Sequence, residues 1–129
     1  MNVEAEVVEQ HRLLAAWLGS AAGPEVLDEL RDAHTDDFSM VTTDGQALSR
    51  AALLDGLAGA RNATPGLHIL ISEVTVVAEL GDAVLARFLE THVAHGHTSS
   101  RRVTVLLQLD EKARNGLRWR YLHETPIAD

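Results

Sequence analysis

The chain contains no cysteine. That absence removes disulfides, thiolate metal sites and cysteine nucleophiles together. It also suits a reducing compartment, and a cytoplasmic location is the expectation. Aromatic residues are scarce, at 4% of the sequence, so a flat hydrophobic ligand would find little to stack on. Positive charge is in deficit: 11 Lys and Arg stand against 19 Asp and Glu, for a formal net charge of −8. Phosphate backbones repel such a surface, so nucleic acid is not an expected partner, and an anionic membrane is disfavoured on the same ground. No apolar run approaches the roughly 18 residues of a membrane span. The opening MNVEAEVVEQHR is acidic and lacks the basic-then-apolar pattern of a secretory signal. No Gly-rich phosphate loop is present, and no Ser lies in a G-x-S-x-G context. A nucleotide enzyme or a serine hydrolase therefore has no support, and no cofactor is expected.

What remains is the composition of one globular domain. The chain has 129 residues, 46% apolar and 23% charged. A domain of that size buries about two-thirds of the surface its unfolded chain exposes. The spacing predicts a first helix over Val3 to Leu18, with Val3, Val7, His11, Leu14 and Leu18 on one stripe and Trp17 at its edge. Pro24 suits the first position of a second helix running to about His34, with Val26, Leu30 and Ala33 inward. Asp37 to Thr42 reads as a short strand and Asp44-Gly45 as a turn. Ser49 is placed to cap a third helix through Gly59, with Leu48 and Leu53 as a hydrophobic staple. From Leu67 the period changes to two. Strands are expected over Leu67 to Leu80, Ala83 to Ala94, Ser99 to Asp110 and Leu117 to Ile127, joined at Gly81-Asp82, His95-Gly96-His97 and Asn115-Gly116.

Helices first and an antiparallel meander after argue for an α+β domain whose sheet curls around the first helix. Long strands wrapped in this way leave room for a pocket between sheet and helix.

Two stretches then carry a family resemblance. The first is His34-Thr35-Asp36-Asp37-Phe38-Ser39-Met40-Val41, with Asp44-Gly45 and Ser49-Arg50-Ala51-Ala52-Leu53-Leu54 behind it. The second is Trp119-Arg120-Tyr121-Leu122-His123-Glu124-Thr125. At this separation, with this order of elements between, they resemble small bacterial proteins of the nuclear-transport-factor-2-like (SnoaL-like) superfamily, in a branch of unknown function. The resemblance implies a cone-shaped fold, an internal pocket and homodimers packed through the outer sheet face. Its members include isomerases, cyclases, dehydratases and pure binding or scaffold domains, so the fold does not fix the function.

Proton-transfer members of such folds use a carboxyl or imidazole in an apolar pocket. On the strand Ala83 to Ala94, one face carries Val84, Ala86, Phe88, Glu90 and His92, and the other Leu85, Arg87, Leu89, Thr91 and Val93. Periodicity leaves open which face lines the cone, because both are mostly apolar and one bulge would exchange them. On the last strand Trp119, Tyr121 and His123 form the expected inner face. Glu90, His92, Tyr121 and His123 are the candidate catalytic residues. His11, Trp17, Met40, Phe88 and Trp119 are the candidate pocket lining. The bland alternative for each is a half-buried residue with an ordinary hydrogen-bond partner. His92, His95 and His97 have a spacing seen at metal sites, but two of the three fall in a turn, so no metal is expected. Three functions stay open: a domain that binds a small apolar or amphipathic molecule, a cofactor-free isomerase, cyclase or dehydratase, and a dimerising scaffold.

Overall fold

The computed structural model describes residues 1–128 and opens on a capped helix, α1 (Val3–Gly19). The Asn2 side-chain oxygen accepts from the Ala5 amide at 3.0 Å, satisfying one of the free donors of the first turn. Val3, Val7, His11 and Trp17 are buried as the stripe predicts. Leu14 and Leu18 are only partly covered, while Glu6, Gln10 and Leu13 are buried. The far end of α1 is tied to the chain before β3. The carbonyls of Trp17, Leu18 and Gly19 accept from the amides of Asn62, Thr64 and Gly66 at 2.8, 2.8 and 2.9 Å. Gly19 permits this approach, because a Cβ there would stand 2.9 Å from the Leu67 nitrogen.

Helix α2 (Pro24–Asp32) begins on its proline, as expected, but ends before His34. The Trp119 amide takes the Ala33 carbonyl at 2.8 Å, and His34 pairs with Trp119, so a strand forms where helical spacing alone would continue. Strand β1 (His34–Val41) turns through Gly45 into the short β2 (Ala47–Ser49). Ser49 then caps α3 (Arg50–Ala58), its hydroxyl accepting from the Ala52 amide at 3.1 Å. Four strands follow: β3 (His68–Glu79), β4 (Ala83–Ala94), β5 (His97–Leu109) and β6 (Leu117–Ile127).

The sheet order is β2-β1-β6-β5-β4-β3, and among the described residues only the β1–β6 pair is parallel. The result is an α+β cone: one curved, mostly antiparallel sheet with the helices packed in its concave side. The inner face of β4 and β5, with Val84, Ala86, Phe88, Val103, Val105 and Leu107, closes on Val3 and Val7 of α1. Each large side chain buried this fully contributes about 1.5–3 kcal/mol. A second cluster joins the three helices through Leu13, Trp17, Leu30, Leu54 and Leu57.

The register answers the question the sequence left open. Ile71 pairs with Glu90 and Ile69 with His92, so the face with Phe88, Glu90 and His92 is the inner one, and Arg87 points outward with Leu89. On β6 the expected alternation breaks. Leu107 pairs with Trp119 but Leu106 pairs with Tyr121, so Arg120 is an extra residue, a β-bulge. Leu122 and Glu124 therefore follow Trp119 to the inside, and Tyr121 and His123 lie on the outer face. Their assignment to the inner wall is corrected by that single residue of register.

Candidate functional site

Between α1, α3 and the inner face of β1, β4 and β6 lies a cavity of about 90 Å³. Leu14, Phe38, Met40, Leu53, Leu57 and Leu122 supply apolar wall; Gln10, His11, His34, Glu90, Trp119 and Glu124 supply the polar groups. Met40, His11, Trp119 and Glu90 thus line it as the sequence suggested. Two of the expected lining residues do not. Phe88 is fully buried behind His11, ring centroids 5.2 Å apart. Trp17 sits in the helix cluster, its indole N–H donating to the Leu57 carbonyl at 2.6 Å.

Glu90 is the centre of the site. One carboxylate oxygen lies 3.0 Å from His11 Nε2 and the other 2.5 Å from His92 Nε2. Its side chain is 6% exposed and that of His11 3%. The other ring nitrogen of His11, Nδ1, donates to the Val7 carbonyl at 2.7 Å. A ring with an acceptor at each nitrogen needs both protons, so His11 is an imidazolium facing a carboxylate. The titration directions agree. Burial opposes charge on both groups, but for His11 the charge and hydrogen bond of Glu90, with the Val7 carbonyl, outweigh it and raise the pKa. For Glu90, His11 and then His92 overcome burial and hold the carboxyl well below the usual range.

His11 is gripped by aromatic edges as well, with Trp119 at 5.9 Å between ring centroids. Trp119 is itself fixed by its indole N–H, which donates to Glu6 at 2.8 Å. Glu6 is fully buried and also accepts from Arg114 at 2.9 and 2.6 Å and from Asn115 at 3.1 Å. Arg114 donates in turn to the Gln10 side-chain oxygen at 2.9 Å. This knot ties α1 to the turn before β6 and holds one wall of the cavity in place.

Three polar groups at the cavity escaped the sequence reading. Glu124 enters through the β6 bulge, which no periodicity announces. Its pKa is raised by burial first and by the nearby Glu90 charge second, against the pull of Arg101. Two inner carboxyls are therefore pushed apart, Glu90 toward the charged form and Glu124 toward the protonated one, as in acid–base sites. His34, in the motif that carried the family resemblance, donates Nδ1–H to the Leu30 carbonyl at 2.6 Å. Burial, followed by the charges of Arg50 and Arg114, pushes its pKa down to about 4 despite that bond, so the ring is neutral. Its Nε2 is then an acceptor at the cavity edge. Gln10 completes the polar wall; it lies one turn after Glu6, on the stripe that the apolar pattern passed over.

His92 stands beside the cavity, bridging Glu90 to an open cleft of about 250 Å³ lined also by Leu18, Leu67, His97 and Ser99. Tyr121 and His123 meet each other on the outer face, hydroxyl to Nδ1 at 3.3 Å, away from Glu90. His95 occupies the β4–β5 turn with φ of 53°. No group of three His, Asp or Glu side chains among the described residues is placed to hold a metal ion.

The SnoaL-like domain family model matches residues 11–125, which span the cavity from His11 to Glu124. No curated protein matches the sequence. Among solved structures, the chain is similar to an NTF-2 like protein of unknown function from Pseudomonas aeruginosa. That likeness has 30% identity and a TM-score of 0.90, over 97% of this chain and 98% of the other. A proposed dehydratase of the NTF2-like family from Streptomyces avermitilis is similar at 16% identity and a TM-score of 0.71, over 97% and 94% of the two chains. A proposed calcium/calmodulin-dependent protein kinase type II association domain from Thiobacillus denitrificans shares 17% identity and a TM-score of 0.69, over 98% and 96%. The last two likenesses concern the fold alone.

Proposed function

The chain belongs to the SnoaL-like domain family of NTF2-like fold, and from that premise we propose that it is a pocket domain that binds a small molecule against Glu90. The observation that carries the reading is the buried Glu90 carboxylate, held by two imidazoles at the wall of a cavity that is half apolar. A carboxylate in such a place costs folding energy unless it is paired, and pairing it with two histidines exceeds what packing alone requires. The cavity is small. An apolar cavity of about 150 Å³ admits benzene, so about 90 Å³ takes a smaller group unless Leu53 and Leu57 of α3 move aside. Steroid-sized ligands do not fit this volume.

The second reading is a cofactor-free acid–base enzyme, isomerase, cyclase or dehydratase. Its support is the opposed titration of Glu90 and Glu124 on one cavity. In that reading Glu124 donates a proton and Glu90, through His11 and His92, sets the field around it. Tyr121 and His123 take no part, since they lie outside. The outer sheet face, with Leu70, Leu89, Leu106 and Tyr121, suits a second copy of the chain, and a cytoplasmic homodimer is part of the proposal. No helix among the described residues is long and apolar enough to cross a membrane.

A fragment screen by ligand-observed NMR tests the pocket. Fragments of up to about four heavy atoms should bind the wild-type protein and lose binding in a cavity-filled Leu53→Phe variant of unchanged fold. Hits that persist in the filled variant, or a screen with none, would sink the pocket reading.

A further inference from the structure

We propose that the cavity accepts a hydrogen-bond-donating head group on a short alkyl chain, a primary ammonium foremost, and excludes carboxylates and phosphates. The inference rests on the pocket reading above and names its ligand class. It follows from what the wall offers. Glu90 and Glu124 present carboxyl oxygens, and His34, neutral and with Nδ1 spent on Leu30, presents a lone pair at Nε2. Glu90 and His34 are acceptors, and so is Glu124 in its charged form. His34 is 5% exposed, and its Nε2 has no hydrogen-bond partner among the described residues.

Donors are nearly missing. No Lys or Arg lines the cavity. The one cationic group, His11, has both nitrogens committed, to Val7 and to Glu90, and cannot turn toward a ligand without breaking a buried bond. Gln10 gives its oxygen to Arg114, which leaves its NH₂ as a neutral donor. Arg101 reaches Glu124 at 3.4 Å, long for a charge-assisted bond, and is not part of the wall.

The charge balance points the same way. Glu90 and His11 cancel as a pair. Glu124 has Arg101 as its cation, at 3.4 Å, and burial still favours its protonation. An ammonium placed beside it in the cavity supplies a second, closer cation and favours the charged form of the carboxyl. An anion in the same place would face the charged Glu90, and Glu124 once ionised, with no Lys or Arg in the wall and His11 already committed. A buried unpaired anion is among the costliest arrangements a protein can make. The apolar wall of Leu14, Leu53, Leu57 and Leu122 covers a two- or three-carbon chain, in keeping with the volume. The Gln10 NH₂ suits a hydroxyl on that chain.

Amide NMR titrations of the full chain near neutral pH, at matched ionic strength, with propylamine, 1-propanol and propionate distinguish the outcomes. Propylammonium should give saturable shifts at Gln10, Leu53, Leu122 and Glu124, with propionate giving none at about tenfold higher concentration. In Glu124→Gln the ammonium should bind about tenfold more weakly while propanol is unaffected. Circular dichroism melting confirms that this variant is folded, and Glu124→Asp, if it is not, replaces it. Propionate binding as well as the amine, or an ammonium affinity indifferent to Glu124, overturns the inference and leaves the pocket reading intact. A cavity that takes none of the three probes overturns both.

Discussion

Glu90 and His11 stabilise each other only while each is charged, which gives the pair a window in pH. The folded pKa of Glu90 lies below the ordinary 4.5, so its contribution is complete above about pH 4.5 and fades as pH falls. That of His11 lies above the ordinary 6.5, so its contribution is complete below about pH 6.5 and is lost as pH rises through the raised value. The groups facing the pair are His92, Glu124, Phe88 and Trp119, together with the Val7 carbonyl. Between about pH 4.5 and 6.5 the pair is at full strength. Glu90→Gln should cost about 3 kcal/mol there, because it strands the buried His11 charge. Its penalty should shrink as pH rises through the raised pKa of His11 and the ring loses its proton. Urea unfolding across pH measures this, and a penalty that grows with rising pH would contradict the ion pair. From the sequence, Glu90 and His92 were legible as a candidate pair, and His11 as a third member near them. What the residues alone withheld was the direction of each ring, since the Val7 carbonyl that commits His11 Nδ1 belongs to the helix backbone.

Strand β6 shows why element-level reading goes wrong in a particular way. Trp119, Tyr121 and His123 alternate without a flaw, and their amphipathic side chains look like pocket residues. The bulge at Arg120 shifts the phase, so Trp119 stays inside while its two apparent companions leave. Nothing in the string of letters marks the site of the bulge. By contrast, the starts of α2 and α3 were legible because Pro24 and Ser49 act locally, through fixed φ and through a side-chain cap. The end of α2 was not legible, because Ala33 and His34 are captured by a strand more than eighty positions away. The register makes a sharp contrast testable. Leu122→Ala should cost about 1–2 kcal/mol for its partly buried contacts, and His123→Ala should stay within about 0.5 kcal/mol of wild type. Equal costs from thermal or urea melts would mean that the phase assigned to β6 is wrong.

At the scale of the molecule the order of elements was readable, helices then meander, and with it the cone. The parallel pairing of β1 with β6 was not, because it joins segments from opposite halves of the chain. The proposed dimer is a statement about the convex side. Light scattering after size exclusion should give twice the 14.0 kDa chain mass at micromolar concentration, and Leu106→Arg should return the single mass. A wild-type monomer would remove the dimer and leave the cavity untouched. The end of α1 carries a different consequence. Its last three carbonyls are bound to the amides of Asn62, Thr64 and Gly66, so the helix cannot unwind from that end without releasing the segment that leads into β3. The two stretches form one cooperative opening unit although more than forty positions separate them. Hydrogen–deuterium exchange should show the amides of Asn62, Thr64 and Gly66 protected to the level of the α1 C-terminal turn. In Gly19→Ala, where the new methyl meets Leu67, all three should speed up together with the helix. Independent exchange of the loop would dissolve that unit. If it holds, α1 and the start of β3, which flank Glu90, loosen in one event, and the rate of that event sets how fast solvent protons reach His11.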